Sequence, residues 1–144
     1  MAWLPRSCTD PVSPDEAEIE LSMLKRRRIV AVVDDDPSML RAIENLLDAR
    51  GFAAKLFASA EEFLDRGAAM QIDCLLLDIH LDGMSGIKLR RQLKASGSTL
   101  PVIFMTALDD EAMRRQALKA GCVALLRKPF QARQLFDAIE RAAP

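Results

Sequence analysis

A short apolar run followed by a helical segment occurs five times between residues 27 and 144. The first run, 29–33, reads IVAVV, and continuous β-branched runs of this kind are typical of strands buried on both faces of a sheet. Further runs predict strands over 53–57, 74–77, 101–105 and 123–126. Because the strands alternate with helical segments, they favour an α/β fold with a doubly wound parallel sheet.

Start and stop signals for helices separate these strands. Asp36 and Pro37 predict the N-cap and the first residue of a helix, and Gly51 predicts its end. Ser59 and Glu62 have the spacing of a capping box, which predicts a short helix to about residue 66. Three more helices are predicted over about 87–95, 110–120 and 132–142.

Composition narrows the class of protein. The chain has 144 residues, half of them hydrophobic, which suits one domain with a real core. A formal net charge of −1 does not favour nucleic-acid binding. No apolar stretch approaches the roughly 20 residues of a membrane span, and Cys8, Cys74 and Cys122 have the wide spacing typical of thiols in a reducing compartment. We therefore predict a cytoplasmic protein.

The first 26 residues differ from the rest of the chain. They are polar, acidic and contain prolines, so we predict a flexible N-terminal tail over 1–26 and a single domain over 27–144. The basic run at 25–28, KRRR, is interpreted as a solvated flank, with nucleic-acid contact as the less favoured alternative.

Polar side chains follow four of the predicted strands. Asp34 and Asp35 follow strand one, Asp78 follows strand three, Thr106 follows strand four and Lys128 follows strand five. The carboxyl ends of parallel strands meet at one edge of a doubly wound sheet, where such folds place their sites. Singly, each residue is explained as a helix cap, a turn former or a solvated charge. Together they predict one polar pocket.

Carboxylates that share a pocket need a cation. Two of them repel by roughly 4 kcal/mol at 4 Å and an effective dielectric constant near 20. Oxygen ligands with room for water suit Mg²⁺. With Lys128 and Thr106 beside the ion, a phosphoryl group on Asp78 would be stabilised by position and charge. We therefore predict Asp78 as a carboxylate nucleophile.

Four segments resemble the motifs of response-regulator receiver domains, in the family's order and spacing. They are VVDDDP at 32–37, LDIHLDGMSG at 77–86, FMTA at 104–107 and KPF at 128–130. The segment ASAEEFL at 58–64 is further similar to receivers of nitrogen-fixation regulators. The resemblance implies a (βα)5 flavodoxin-like three-layer sandwich with sheet order 2-1-3-4-5.

The resemblance also implies roles for single residues. Asp35 and Asp78 would bind Mg²⁺ directly, together with the backbone carbonyl of His80, and Asp34 would act mainly through a water. The Lys128–Pro129 bond would be cis. The phosphoryl donor would be a phosphohistidine on a sensor histidine kinase or a histidine phosphotransfer protein. The domain would phosphorylate and dephosphorylate itself without being an enzyme on an external substrate.

The given sequence ends soon after the last predicted helix, and on that basis we expect a stand-alone receiver that acts through protein contacts. The expected contact face is helix four, strand five and helix five, and a homodimer stays open. This face carries Arg114, Arg115, Lys119, Arg127 and Arg133.

Leu125 stands where many receivers carry Tyr or Phe, so we expect a weaker conformational response on this face. His80 is expected to affect the lifetime of the phosphoryl group.

Two other classes of protein stay open. One is a pseudo-receiver that binds partners without phosphorylation, against which the intact Asp35, Asp78, Thr106 and Lys128 argue. The other is a small phosphohydrolase with an aspartyl nucleophile. That class needs a second Asp two residues after the nucleophile, where this chain has His80.

Overall fold

Five parallel strands form one sheet at the centre of the molecule. The computed structural model describes residues 15–17, 27–67 and 69–143. The strands are β1 (Ile29–Val33), β2 (Ala53–Phe57), β3 (Cys74–Asp78), β4 (Val102–Thr106) and β5 (Ala124–Arg127). They pair in the order β2-β1-β3-β4-β5, which confirms the predicted sheet order. Of the predicted tail, only 15–17 is described, as an exposed helical turn, and the rest of 1–26 lies outside the described residues.

Helices follow the strands, and all but the one after β2 agree with the predictions to within a residue or two. They are α1 (Pro37–Ala49), α2 (Ala60–Glu62), α3 (Gly86–Ala95), α4 (Glu111–Ala120) and α5 (Ala132–Ala142). The Asp36 carboxylate accepts a hydrogen bond from Ser38 N, which confirms the predicted N-cap of α1. None of the helices within the described ranges is long and apolar enough to cross a bilayer.

The helix after β2 departs from the prediction. Only Ala60–Glu62 is α-helical, and Phe63–Gly67 continues as a wider π-helical turn. Phe63, which begins that turn, packs edge-on against Phe57 with ring centroids 5.3 Å apart. Ser59 Oγ accepts the Glu62 N–H as predicted, but the Glu62 carboxylate accepts from Ala58 N. In a capping box the Glu62 carboxylate would accept from the N-cap residue, Ser59, so this bond is made one residue further toward the N-terminus.

Two hydrophobic cores lie on opposite faces of the sheet. Side chains of one strand alternate between them, so that Val33 and Leu77 lie in one core and Val32 and Leu76 in the other. The first core packs against α3 and α4, and the second against α1 and α5. Burial on both faces explains why the central strands are continuous apolar runs.

Candidate functional site

The polar residues predicted to converge do lie at the carboxyl edge of the sheet. Asp34 directly follows β1, Asp78 ends β3, Thr106 ends β4 and Lys128 directly follows β5. Since β1, β3, β4 and β5 are successive neighbours in the sheet, their ends are adjacent. Asp34, Asp78 and Thr106 are the polar residues buried at this edge, at 0%, 5% and 5% exposure.

Three carboxylates at this edge form a cluster. Asp34, Asp35 and Asp78 each offer an oxygen, and these oxygens lie within 4.8 Å of one another. Asp35 is exposed, while the other two are buried. An oxygen-only donor set with one side open to water fits a hard divalent cation such as Mg²⁺, which keeps several waters when it binds to protein.

Lys128 bridges the two buried carboxylates. Its Nζ lies 2.7 Å from Asp34 Oδ2 and 3.3 Å from Asp78 Oδ2. Its own backbone N–H donates to Thr106 O at 2.7 Å, and the Lys128–Pro129 bond is cis, as predicted. Burial alone would lower the pKa of Lys128, but the hydrogen bond to Asp34 and the charge of Asp78 outweigh it. The pKa therefore lies above its usual value, and the ammonium stays charged.

Asp78 is held in a partly desolvated environment. Its Oδ1 accepts the backbone N–H of His80 at 3.1 Å, and its Oδ2 faces Lys128. Burial raises the pKa of Asp78, the charge of Asp34 adds to the rise, and Lys128 opposes it. A desolvated carboxylate beside a fixed cation is a suitable nucleophile for an anionic phosphoryl group, because charge repulsion with the incoming oxygens is offset locally.

The Thr106 hydroxyl is hydrogen-bonded to the backbone of Leu108. Its Oγ1 accepts the Leu108 N–H at 3.1 Å and lies 3.4 Å from Leu108 O, to which it donates. Thr106 also lines a small cavity of about 70 Å³ together with Ile79, Met113 and Leu125. The hydroxyl is thus next to the site but is bonded to the loop that leads into α4.

Residues 30–140 match the family model described as the response regulator receiver domain. The chain belongs to this family.

The receiver is similar to two longer proteins. Response regulator protein TodT of Pseudomonas putida is 36% identical over 120 residues, which are 83% of this chain and 53% of TodT. Transcriptional regulatory protein FixJ of Bradyrhizobium diazoefficiens is 36% identical over 113 residues, which are 78% of this chain and 55% of FixJ. The chain spans about half the length of these curated relatives.

Solved receiver structures share the fold. The crystal structure of FixJ-N matches with a TM-score of 0.76 and 34% identity, covering 81% of this chain and 94% of that one. The low-resolution structure of response regulator StyR matches with a TM-score of 0.75 and 42% identity, covering 81% of this chain and 59% of that one. These likenesses confirm the predicted (βα)5 flavodoxin-like sandwich.

The end of β3 depends on a close contact with the receiver's third helix. The helix predicted over about 87–95 begins one residue earlier, at Gly86, and Ser85 is its N-cap. A Cβ added at Gly86 would meet the carbonyl oxygen of Asp78 at 2.3 Å and Ile79 Cα at 3.0 Å. Glycine therefore lets α3 begin directly against the backbone of Asp78.

Another carboxylate near the receiver site was not predicted. Glu61 Oε2 accepts the backbone N–H of Met84 at 2.9 Å, across a gap of 23 positions in sequence. Its side chain also lies against Gly83, whose φ is +77°. The only signal in the sequence was the acid pair after Ser59, of which Glu62 was assigned to the helix cap and Glu61 received no role.

His80 is half-buried in the loop that follows Asp78. Its backbone N–H is bonded to Asp78, but its Nε2 is shielded from solvent and has no hydrogen-bond partner among the residues that the structure describes. The predicted use of its carbonyl as a metal ligand and its predicted effect on phosphoryl lifetime stay predictions.

Proposed function

We propose that the chain is the phosphoacceptor receiver of a two-component phosphorelay, in which Asp78 takes a phosphoryl group from a phosphohistidine in a Mg²⁺-dependent reaction. One observation carries the proposal: Asp78 is buried, it lies 3.3 Å from the Lys128 ammonium, and it shares a cluster with Asp34 and Asp35. Nucleophile, fixed cation and cation-binding carboxylates are the parts that phosphoryl transfer needs.

The ligands of Mg²⁺ would be Asp34, Asp35, Asp78 and the backbone carbonyl of His80. When bound, the ion supplies positive charge for the oxygens of the phosphoryl group. Lys128 neutralises charge on Asp78, and its ion pair with Asp34 fixes the direction of its ammonium. Thr106 supplies a hydroxyl donor once it releases the backbone of Leu108. All of these groups act by position and charge.

The transfer exchanges one bond to phosphorus for another. A carboxylate oxygen of Asp78 forms an O–P bond while the N–P bond of the donor phosphohistidine breaks. The imidazole nitrogen of the donor keeps the electron pair of that bond and takes up a proton. The product is an acyl phosphate, which water hydrolyses to free phosphate and the Asp78 carboxylate. No external substrate is turned over, so the domain is not an enzyme in the usual sense.

The partner that supplies the phosphoryl group would be a sensor histidine kinase or a histidine phosphotransfer protein in the cytoplasm. The output would be a changed protein contact on α4, β5 and α5, either with a downstream protein or with a second copy of the chain. This face is rich in exposed cations, and it also exposes Leu118 at 58%. Its cations are Arg114, Arg115, Lys119, Arg127 and Arg133. We assign the receiver to 27–144 and a tail to 1–26.

Phosphorylation by acetyl phosphate tests the proposal without the unknown kinase. Wild type should gain one phosphoryl group in the presence of Mg²⁺, seen as a shifted band on a phosphate-affinity gel, and should gain none in EDTA. Asp78→Asn should not be labelled. Asp82→Asn is the matched control, because Asp82 is an exposed carboxylate of the same loop outside the cluster, and it should be labelled like wild type. Labelling that persists in Asp78→Asn or in EDTA would overturn the proposal.

A further inference from the structure

The loop after Asp78 is held by carboxylates at every second residue. This segment, residues 79–85, is here called the acceptor loop. The backbone N–H of His80 donates to Asp78 Oδ1 at 3.1 Å, and that of Asp82 donates to Asp35 Oδ2 at 3.2 Å. The backbone N–H of Met84 donates to Glu61 Oε2 at 2.9 Å. Three carboxylates from three different places in the fold thus bind backbone N–H groups of the loop.

Glu61 differs from the other two carboxylates because it lies outside the cluster. Asp35 and Asp78 belong to the group of acids that can hold a metal ion, whereas Glu61 lies on α2. Its contact with the acceptor loop therefore uses no carboxylate of the cluster. It is also the shortest of the three hydrogen bonds.

We propose that Glu61 is a positioning residue for the phosphorylation site: by holding Met84, it keeps the acceptor loop in the conformation that presents the backbone carbonyl of His80 to Mg²⁺. This inference rests on the proposed function. A loop that is already ordered loses little conformational entropy when a ligand binds, and outer contacts that orient metal ligands raise metal affinity.

The backbone of the acceptor loop is shaped to admit the Glu61 carboxylate. Gly83 has a φ of +77°, and a Cβ added there would lie 2.7 Å from Glu61 Oε2. A glycine beside Met84 thus serves two purposes, since it permits the left-handed turn and leaves space for the carboxylate. The hydrogen bond from Met84, the backbone N–H of Glu61 itself and the charge of Lys88 lower the pKa of Glu61, so that it is ionised at neutral pH.

Glu62 offers a matched control on the same short helix. Its carboxylate accepts from Ala58 N and pairs with Arg66 at 3.5 Å, and among the described residues it makes no hydrogen bond or ion pair with the acceptor loop. Glu62→Ala should weaken the start of α2 and leave the acceptor loop in place. Glu61→Gln is the conservative variant, because its amide oxygen can still accept from Met84 N.

Two measurements test the positioning role. The first is hydrogen exchange of the Met84 amide in Mg²⁺-free buffer, where Glu61→Ala should exchange about tenfold faster than wild type because a charge-assisted hydrogen bond is lost. The second is a Mg²⁺ titration followed by the amide resonances of His80 and Asp82. Glu61→Ala should bind Mg²⁺ about tenfold more weakly. Glu61→Gln should recover most of both values, and Glu62→Ala should match wild type in both.

The outcomes separate this inference from the proposed function. Wild type that does not respond to Mg²⁺ would overturn the proposed function and with it the metal half of the inference. If wild type binds Mg²⁺ and Glu61→Ala binds it equally well, only the positioning role is overturned. Equal weakening in Glu61→Ala and Glu62→Ala would also overturn it, because the effect would then come from α2 as a whole.

Discussion

The Lys128 ammonium lies 2.7 Å from Asp34 Oδ2, and the Asp34 side chain is only 1% exposed. This ion pair connects the residue after β1 to the residue after β5, across the two strands β3 and β4 that lie between them in the sheet. Removing one member of a buried ion pair leaves an uncompensated charge in a poorly solvated place. The pair is therefore a structural element of the site, in addition to its proposed part in phosphoryl transfer.

Lys128→Met should lower the free energy of unfolding by about 3 kcal/mol or more in Mg²⁺-free buffer, because Asp34 and Asp78 lose their common counter-ion. Mg²⁺ should restore part of the loss, since a bound cation replaces the missing charge. Urea unfolding with and without Mg²⁺ measures both effects.

Arg127→Met is the matched control for Lys128→Met. Arg127 is the neighbouring cation, and its ion pair with Asp109 is well exposed, with 65% and 71% of the two side chains accessible. Exposed pairs of this kind contribute less than about 1 kcal/mol. Equal losses in the two variants would show that burial of the Asp34 pair has no energetic consequence.

Much of the fold follows from local rules that act within a few residues. Asp36 and Pro37 specify the start of α1 by side-chain capping and a fixed φ, and both act as predicted. The continuous apolar run of β1 identifies it as a central strand, because only a strand covered on both faces can lack polar positions. The convergence of Asp34, Asp78 and Lys128 follows from topology, since parallel strands bring their carboxyl ends to one edge.

The remaining features depend on the paths of the loops that follow β3 and β4. The bond from Met84 to Glu61 joins the acceptor loop to α2 beside Gly83, which has a φ of +77°. Residue propensities in the sequence do not give the path of that loop. The Thr106 hydroxyl has two possible partners, the loop before α4 and the carboxylates. Its observed bond to Leu108 is decided by local geometry at the end of β4.

Gly86→Ala should damage both stability and phosphorylation. In most helices this change stabilises by about 0.5–1 kcal/mol, but here the added Cβ would meet the Asp78 carbonyl oxygen at 2.3 Å. Overpacking of a rigid backbone costs about 1–3 kcal/mol, so we expect a net loss. The displaced Asp78 should also be phosphorylated more slowly by acetyl phosphate.

Gly51→Ala provides the comparison for Gly86→Ala. An added Cβ at Gly51 meets nothing within 4 Å, so the only cost is the strain of a side chain at a φ of +84°. That strain is about 1–2 kcal/mol. This variant should be less stable than wild type but should be phosphorylated at the same rate. If Gly86→Ala also keeps the wild-type rate, the contact with Asp78 does not position the acceptor.

Cys74 should make the protein less stable at alkaline pH. Its thiol is fully buried, and burial, together with the charge of Asp73, raises its pKa to about 12. Above about pH 9 the thiol ionises in the unfolded chain but not in the folded one, so unfolding is favoured by about 1.4 kcal/mol for each further pH unit. The stabilising contribution is complete below pH 9 and is lost as the pH rises toward 12.

The pH dependence of Cys74→Ala isolates this contribution. The variant should be less stable than wild type at pH 7, because a buried side chain is truncated. Between about pH 9 and pH 11, the free energy of unfolding of wild type should fall relative to that of Cys74→Ala by about 1.4 kcal/mol for each pH unit. Urea unfolding at each pH measures this change. Cys122→Ala, which removes a half-buried thiol, should show a smaller narrowing. A difference that stays constant with pH would contradict the raised pKa of Cys74.

Leu125→Tyr should strengthen the conformational response of the receiver to phosphorylation. Leu125 lines the small cavity beside Thr106, and leucine has neither a ring nor a hydroxyl that can reorient when Thr106 moves. The cavity of about 70 Å³ leaves room for a larger side chain at this position. With beryllofluoride as the acyl-phosphate mimic, amide shifts on α4, β5 and α5 should be larger in Leu125→Tyr than in wild type. Met70→Tyr, a change at an exposed residue before β3 and outside that face, should leave the wild-type response unchanged. Equal shifts in wild type and Leu125→Tyr would mean that leucine transmits the movement of Thr106 as well as an aromatic residue does.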